Sequence, residues 1–97
     1  MFEVIFAPAA AADLVEAHDW YEAELPGLGA RSRAEIGSTV ERIRENPLQF
    51  PAVFKSARRA LLRSFPYMLF YTIDGNTLLV IACFHVSRNP RIWQKRT

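Results

Sequence analysis

The sequence predicts a two-layer α+β fold, β-α-α-β-β-β, with a helical hairpin packed on an antiparallel-rich sheet. Three observations carry that class. Residues 66–73 and 77–85 are apolar runs joined by Asp74-Gly75-Asn76. Asp-Gly between two β-rich runs signals a tight hairpin, because Gly accepts the positive φ the turn requires. Residues 9–24 and 30–45 carry apolar side chains at helical spacing and are separated by the breaker cluster Pro26-Gly27-Leu28-Gly29. Finally, Phe2, Val4 and Phe6 alternate with Glu3 and Ile5 in the two-residue period of a strand. Helices and strands in this order form two layers around one core.

Taken in order, Phe2-Glu3-Val4-Ile5-Phe6 is a first strand that must pair at a sheet edge. Pro8 fits the first turn of the first helix, where its missing N–H costs nothing. Leu14, Ala17, Tyr21 and Leu25 make that helix's apolar face, with Asp13, Glu16 and Asp19 expected to face elsewhere. The second helix presents Ile36, Val40 and Ile43, and Arg31 and Glu35 stand four apart on its surface, worth about 0.2–0.5 kcal/mol as a pair. Asn46-Pro47 ends it. With Pro47 and Pro51 close by, residues 48–56 read as a loop whose Phe50, Val53 and Phe54 plug the end of the sheet. A meander of strands at about 57–63, 66–73 and 77–85 completes the chain. Both arms of the hairpin are apolar at nearly every position, so both faces need cover: one from the chain's own helices, the other from a partner.

Ninety-seven residues, half of them hydrophobic, suit a single domain spanning residues 1–97. The apolar runs are short of the roughly 20 residues that span a bilayer. The first residues lack the basic start and long apolar stretch of a signal peptide. The lone Cys83 inside an apolar strand reads as a buried structural thiol, and a reducing cytoplasm is the expected location. The charge is unevenly placed. Residues 1–57 carry nine acids against five bases, a net of −4, while residues 58–97 carry only Asp74 against seven bases, a net of +6. Such asymmetry points to an anionic partner for the C-terminal half, either a nucleic acid or an acidic protein surface. Arginines that merely solubilise a greasy sheet would give the same count.

Several chemistries find no support. No Gly-rich loop precedes a helix to cradle a phosphate. Two histidines and one cysteine, far apart in sequence, do not make a zinc site, so no metal and no cofactor are expected. No serine stands beside an obvious base. His18 reads as a surface or packed residue. His85 closes the most apolar strand and is followed by Arg88, while Arg63 stands just before the bend at Phe65-Pro66. Antiparallel pairing brings the start of the 66–73 strand beside His85, and Arg63 is expected to project into the same cleft as Arg58 or His85. Arg63, His85 and Arg88 are therefore the candidate catalytic residues of an RNA-cleaving site. In such a site the imidazole takes the proton of a ribose 2′-hydroxyl, and guanidiniums stabilise charge at phosphorus. A strand-end histidine hydrogen-bonded to backbone is the alternative. Arg58, Arg59, Arg91, Trp93 and Arg96 are the candidate target-binding residues. Trp93 either stacks on the target or pins the tail to the sheet, and the pin is the preferred reading.

Four stretches together resemble the RelE/ParE superfamily of bacterial plasmid-stabilisation toxins, most closely its ParE-like branch. They are Pro8-Ala9-Ala10-Ala11-Ala12-Asp13-Leu14 with Trp20-Tyr21; Pro26-Gly27-Leu28-Gly29; residues 58–67 with Tyr71; and Phe84-His85 followed by Arg88-Asn89-Pro90 and Trp93. The resemblance implies the β-α-α-β-β-β toxin fold and a cognate antitoxin that wraps the toxin and covers its apolar face. It also implies a choice of activity. RelE-like members cut mRNA on the ribosome with basic and aromatic residues of the sheet, whereas ParE-like members poison DNA gyrase. The central strands carry no lysine, and Val86-Ser87 follows His85, so the gyrase-type inhibitor is the leading expectation. An mRNA endonuclease and an antitoxin-binding module without toxicity stay open beside it.

Overall fold

A computed structural model describes residues 2–97. The elements run β1 (Glu3–Phe6), α1 (Pro8–Glu24), α2 (Leu28–Glu45), a 3-10 turn (Pro47–Gln49), β2 (Ala52–Phe54), β3 (Ala57–Leu61), β4 (Tyr67–Asp74), β5 (Thr77–His85) and α3 (Arg91–Gln94). The sheet order is β1-β5-β4-β3-β2, with β1 parallel to β5 and every other pair antiparallel. The two-layer α+β class and the edge position of the first strand are as the sequence predicts. The sheet nevertheless has five strands. Residues 52–54, expected as loop, pair with β3 as an edge strand. Pro51 precedes it at the rim, where a missing N–H removes no ladder bond, and its carbonyl accepts the Arg59 N–H at 3.0 Å.

Pro8 opens α1 as expected. The buried stripe of α1 is Ala10, Asp13, Ala17 and Tyr21. Asp13 is therefore inside, 6% exposed, and does not face away with Glu16 and Asp19. Leu25 lies outside the stripe because the chain turns extended there and leaves the helix. Ile36 and Ile43 of α2 are buried as predicted, with Val40 packed against them. Glu35 does not serve an Arg31 pair; its Oε1 accepts the Ser64 N–H at 2.7 Å.

The helical hairpin closes on a carboxylate. Gly27 takes φ +90 at the N-terminus of α2 and has no side chain to cap it. Glu22, reaching from α1, accepts the Gly27 N–H at 3.0 Å and the Gly29 N–H at 3.0 Å instead. Negative charge at a helix N-terminus is the favourable arrangement. Gly29 is needed for space: a Cβ there would meet the His18 ring and carbonyl oxygen at 2.8 Å. His18 is thus a packed residue of the helix–helix contact.

Two clusters lie on the two faces of the sheet. Under the helices sit Leu69, Tyr71, Leu78, Val80 and Cys83, with Phe2, Val4 and Phe6 packed beside them. The opposite face holds Ala57, Phe70, Ala82, Phe84 and Trp93. Trp93, 3% exposed, stacks on Phe70 at 3.8 Å and meets Phe54 edge-on. The sequence leaves one face of β4 for a partner to cover, either part of Tyr67, Leu69 and Tyr71 or their alternating neighbours Met68 and Phe70. The chain buries Leu69 and Tyr71 under its own helices, and its tail folds back as α3 to cover Phe70 on the other face. Burial of a ring of this size contributes roughly 4 kcal/mol.

One irregularity sets the aim of the end of β5. Phe70 pairs with Ala82, but Tyr71 pairs with Val80, so Ile81 is an extra residue in the strand. Before this bulge the even positions Leu78 and Val80 face the helices; after it the odd position Cys83 does. A bulge re-aims every side chain beyond it. Here it turns Cys83 and His85 towards α1 and Phe84 away from it.

Candidate functional site

Where β5 outruns β1, a cleft of about 340 Å³ opens between the end of β5 and α1. Parallel pairing stops at Phe6 with Val80, because the chain turns into α1 at that point. The exposed edge beyond is closed by side chains. Asp13 Oδ2 accepts the Cys83 N–H at 3.0 Å and a hydrogen bond from Arg96 Nη1 at 2.7 Å. Arg96 Nη1 also donates to the Ile81 carbonyl at 3.0 Å, so the pair clamps the bulged residues. Glu16, Trp20, Tyr67, His85 and Arg88 form the rest of the wall.

His85 sits at the predicted place. Tyr67 is its register partner across the hairpin, and the two rings meet edge-on at 5.3 Å. The Ser87 backbone N–H donates to His85 Nδ1 at 3.0 Å. A backbone amide can only donate, so Nδ1 is the acceptor and the neutral ring carries its proton on Nε2. In this arrangement the ring offers a donor, not a base, to anything outside. Burial pushes the Tyr67 hydroxyl above its ordinary range. Burial, helped by the Asp13 charge, pushes the Cys83 thiol up to about 12, which keeps it protonated and unreactive.

The other sequence-predicted residues do not gather in one cluster. Arg88 accompanies His85 and lays its guanidinium 4.1 Å over the Phe84 ring. Arg63 is exposed beyond the end of β3 and lines neither this cleft nor the groove described next. Arg58 faces the helical side and donates to the Phe50 carbonyl at 2.6 Å, which makes it a latch for the turn after α2. Arg96 is spent on Asp13. Arg91 is exposed at the start of α3, and Trp93 is buried with its ring against Phe70, closed to a target in this fold. Arg59 alone of the arginines on β3 points to the opposite face. There it lines a groove of about 490 Å³ with Leu61, Met68, Val86 and Arg88.

Sequence reasoning missed Asp13, Glu16 and Trp20 as wall residues, whereas Tyr67 begins the strand it placed beside His85. A signal for Asp13 existed, since it falls at helical spacing between Ala10 and Ala17. Among the described residues no three His, Cys, Asp or Glu side chains converge as a metal site, and no helix is long and apolar enough to cross a membrane.

Comparison with known proteins fits this architecture. The family model described as the ParE toxin of type II toxin–antitoxin system, parDE, matches residues 4–90. No curated protein matches the chain. A solved structure of the chromosomal ParDE TA system from P. aeruginosa aligns with a TM-score of 0.78 at 19% identity. The alignment covers 88% of this chain and 96% of that one. At that identity the likeness speaks for the fold.

Proposed function

Because the chain belongs to the ParE toxin family of type II toxin–antitoxin systems, we propose that it is a toxin that inhibits a macromolecular target such as DNA gyrase by binding it, and that a cognate antitoxin neutralises it. The observation that carries the binding mode is the state of the His85 ring. Its Nδ1 is engaged by the Ser87 amide, which leaves no ring nitrogen free to accept the proton of a ribose hydroxyl. Arg63 stands apart and Arg96 is neutralised by Asp13, so of the cations first grouped with His85 only Arg88 lies beside it. Stabilising a phosphoryl transition state takes several donors aimed at one point. A shape-and-charge inhibitor needs only a rigid surface.

The reading is tested with purified chain in two reactions: supercoiling of relaxed plasmid by DNA gyrase, and translation of a defined mRNA followed by primer extension. Inhibited supercoiling with intact message supports it. Site-specific mRNA cleavage with unaffected supercoiling would make the chain a RelE-like nuclease instead.

A further inference from the structure

The His85 cleft is walled by a carboxylate and a guanidinium that are left unpaired. Glu16 lines it from α1 and Arg88 from the turn after β5, both at exposed positions. Among the described residues neither forms an ion pair, even with the other. Both charges still act on the Tyr67 hydroxyl: burial raises its pKa most, Glu16 adds to the rise and Arg88 opposes it. Trp20 lies four residues after Glu16 on the same side of α1, lines the cleft and is 57% exposed. We infer that this cleft binds a guanine mononucleotide, with the base stacked on Trp20, its N1–H and N2 amino group donated to Glu16, and the phosphate held by Arg88 and the His85 Nε2–H.

The hydrogen-bonding character of the wall selects the base. An ionised carboxylate only accepts. Guanine alone presents two adjacent donors, N1–H and the N2 amino group, to its two oxygens. Adenine and cytosine set a ring lone pair beside the amino group, which a carboxylate repels, and uracil flanks its single N–H with two carbonyls. The other groups of the cleft suit the phosphate. Ser87 holds His85 Nδ1, so Nε2–H is the donor the ring has left, and Arg88 adds a fixed positive charge. Trp20 supplies a flat face on which any base can stack. Size selects a single nucleotide. A volume of about 340 Å³ lies in the range of small-molecule sites, and the Asp13–Cys83 hydrogen bond closes the inner end against a threaded strand. Binding asks no proton transfer of His85, so the assignment does not depend on which macromolecule the chain inhibits.

The test titrates the full chain, labelled for NMR, with GMP, IMP, AMP, inorganic phosphate and a short single-stranded RNA containing one guanine. GMP is expected to shift the Trp20 indole N–H and the Ser87 amide, and to bind at least about tenfold more tightly than AMP. IMP, which keeps N1–H and lacks the N2 amino group, should fall between them. Trp20→Ala and Glu16→Gln, both at exposed positions that leave the fold intact by circular dichroism, are each expected to weaken GMP about tenfold. Glu16→Gln should also erase the margin over AMP, which a merely structural role would leave in place. Equal binding of AMP, the same shifts from phosphate alone, or tighter binding of the RNA than of GMP overturns the inference. So do shifts outside the cleft, unchanged affinity in either variant, or no binding at all. A chain that still arrests gyrase but fails here loses this site without losing the proposed function.

Discussion

Asp13 and Arg96, 83 positions apart in sequence, join the first helix to the end of the chain through two hydrogen bonds of 2.7 and 3.3 Å. The same two side chains hold the Cys83 N–H and the Ile81 carbonyl. One ion pair therefore fixes the bulge in β5, the seat of the tail and the cleft around His85. Removing one member leaves the other charge with little water: the side chains are 6% and 22% exposed. Asp13→Asn and Arg96→Ala are each expected to cost about 3 kcal/mol in urea unfolding. The double variant should lie closer to the parent than the two losses added together. Additive losses would mean that the pair acts only as two independent packing groups. Loss of toxicity on trimming the tail would likewise report a loosened fold, since Trp93 and Arg96 leave together.

Arg58 and Arg63 look alike in the sequence and are not alike in the molecule. Arg58→Ala removes the donor to the Phe50 carbonyl and is expected to lower stability by about 1–2 kcal/mol. Arg63→Ala, at an exposed position with no hydrogen bond among the described residues, should stay within about 0.5 kcal/mol of the parent. Thermal melts of the two variants side by side decide the point. A large loss at Arg63 would reveal an ion-pair role for it.

The secondary structure was legible wherever periodicity is strong. The helix pair and the β4–β5 hairpin stand out because spacings of 3.6 and 2.0 leave different traces, and Gly75 does take the positive φ, +58, of the turn. Strand β2 did not show, because it is three residues long and follows Pro51. The bulge was invisible for another reason: residues 78–84 are apolar throughout, so the pattern reads the same in either phase. With the phase unknown, neither the side on which His85 emerges nor which of Arg58 and Arg59 takes the helical face could be deduced. Trp93 as a pin was legible, since an aromatic in a basic tail beside an apolar sheet has an obvious surface to cover. Which helical residues met the cleft was obscured by expecting charge to face outward, and Asp13 was the residue that expectation misplaced.

Two glycines of α2 should respond to alanine with opposite sign. At Gly29 the new Cβ would meet backbone oxygen of His18 as well as its ring at 2.8 Å, so the helices must move apart. A loss of about 1–3 kcal/mol is expected, as for other overpacked sites. At Gly37 nothing lies within 4 Å, and alanine should stabilise the helix by about 0.5–1 kcal/mol. Chemical denaturation of the two variants checks the pair. A neutral Gly29→Ala would mean that the helices do not meet at the described distance.

Glu22 gives the fold an acid-sensitive joint. The Gly27 and Gly29 backbone amides hold its carboxyl below the ordinary value of 4.5. A folded-state value lower than the unfolded one adds stability above the unfolded value, and that stability is lost as pH falls through the folded value. The contribution is therefore complete at neutral pH and starts to fade below about pH 4.5. Glu22→Gln should be less stable than the parent at pH 7 and converge with it in acid. Parallel stability profiles for the two proteins at every pH would show that the carboxylate is not what closes the hairpin.

The most direct measurement is growth inhibition by His85→Gln in bacteria, with the folded state checked by thermal melting. Glutamine keeps an acceptor for the Ser87 amide and cannot carry a proton at neutral pH. A toxin that works by binding should remain toxic with His85→Gln, at a dose close to that of the parent. A folded His85→Gln that has lost all toxicity would contradict the binding mode, because losing a general acid or base costs about 10²–10⁴-fold in rate, and would return His85 to a catalytic role.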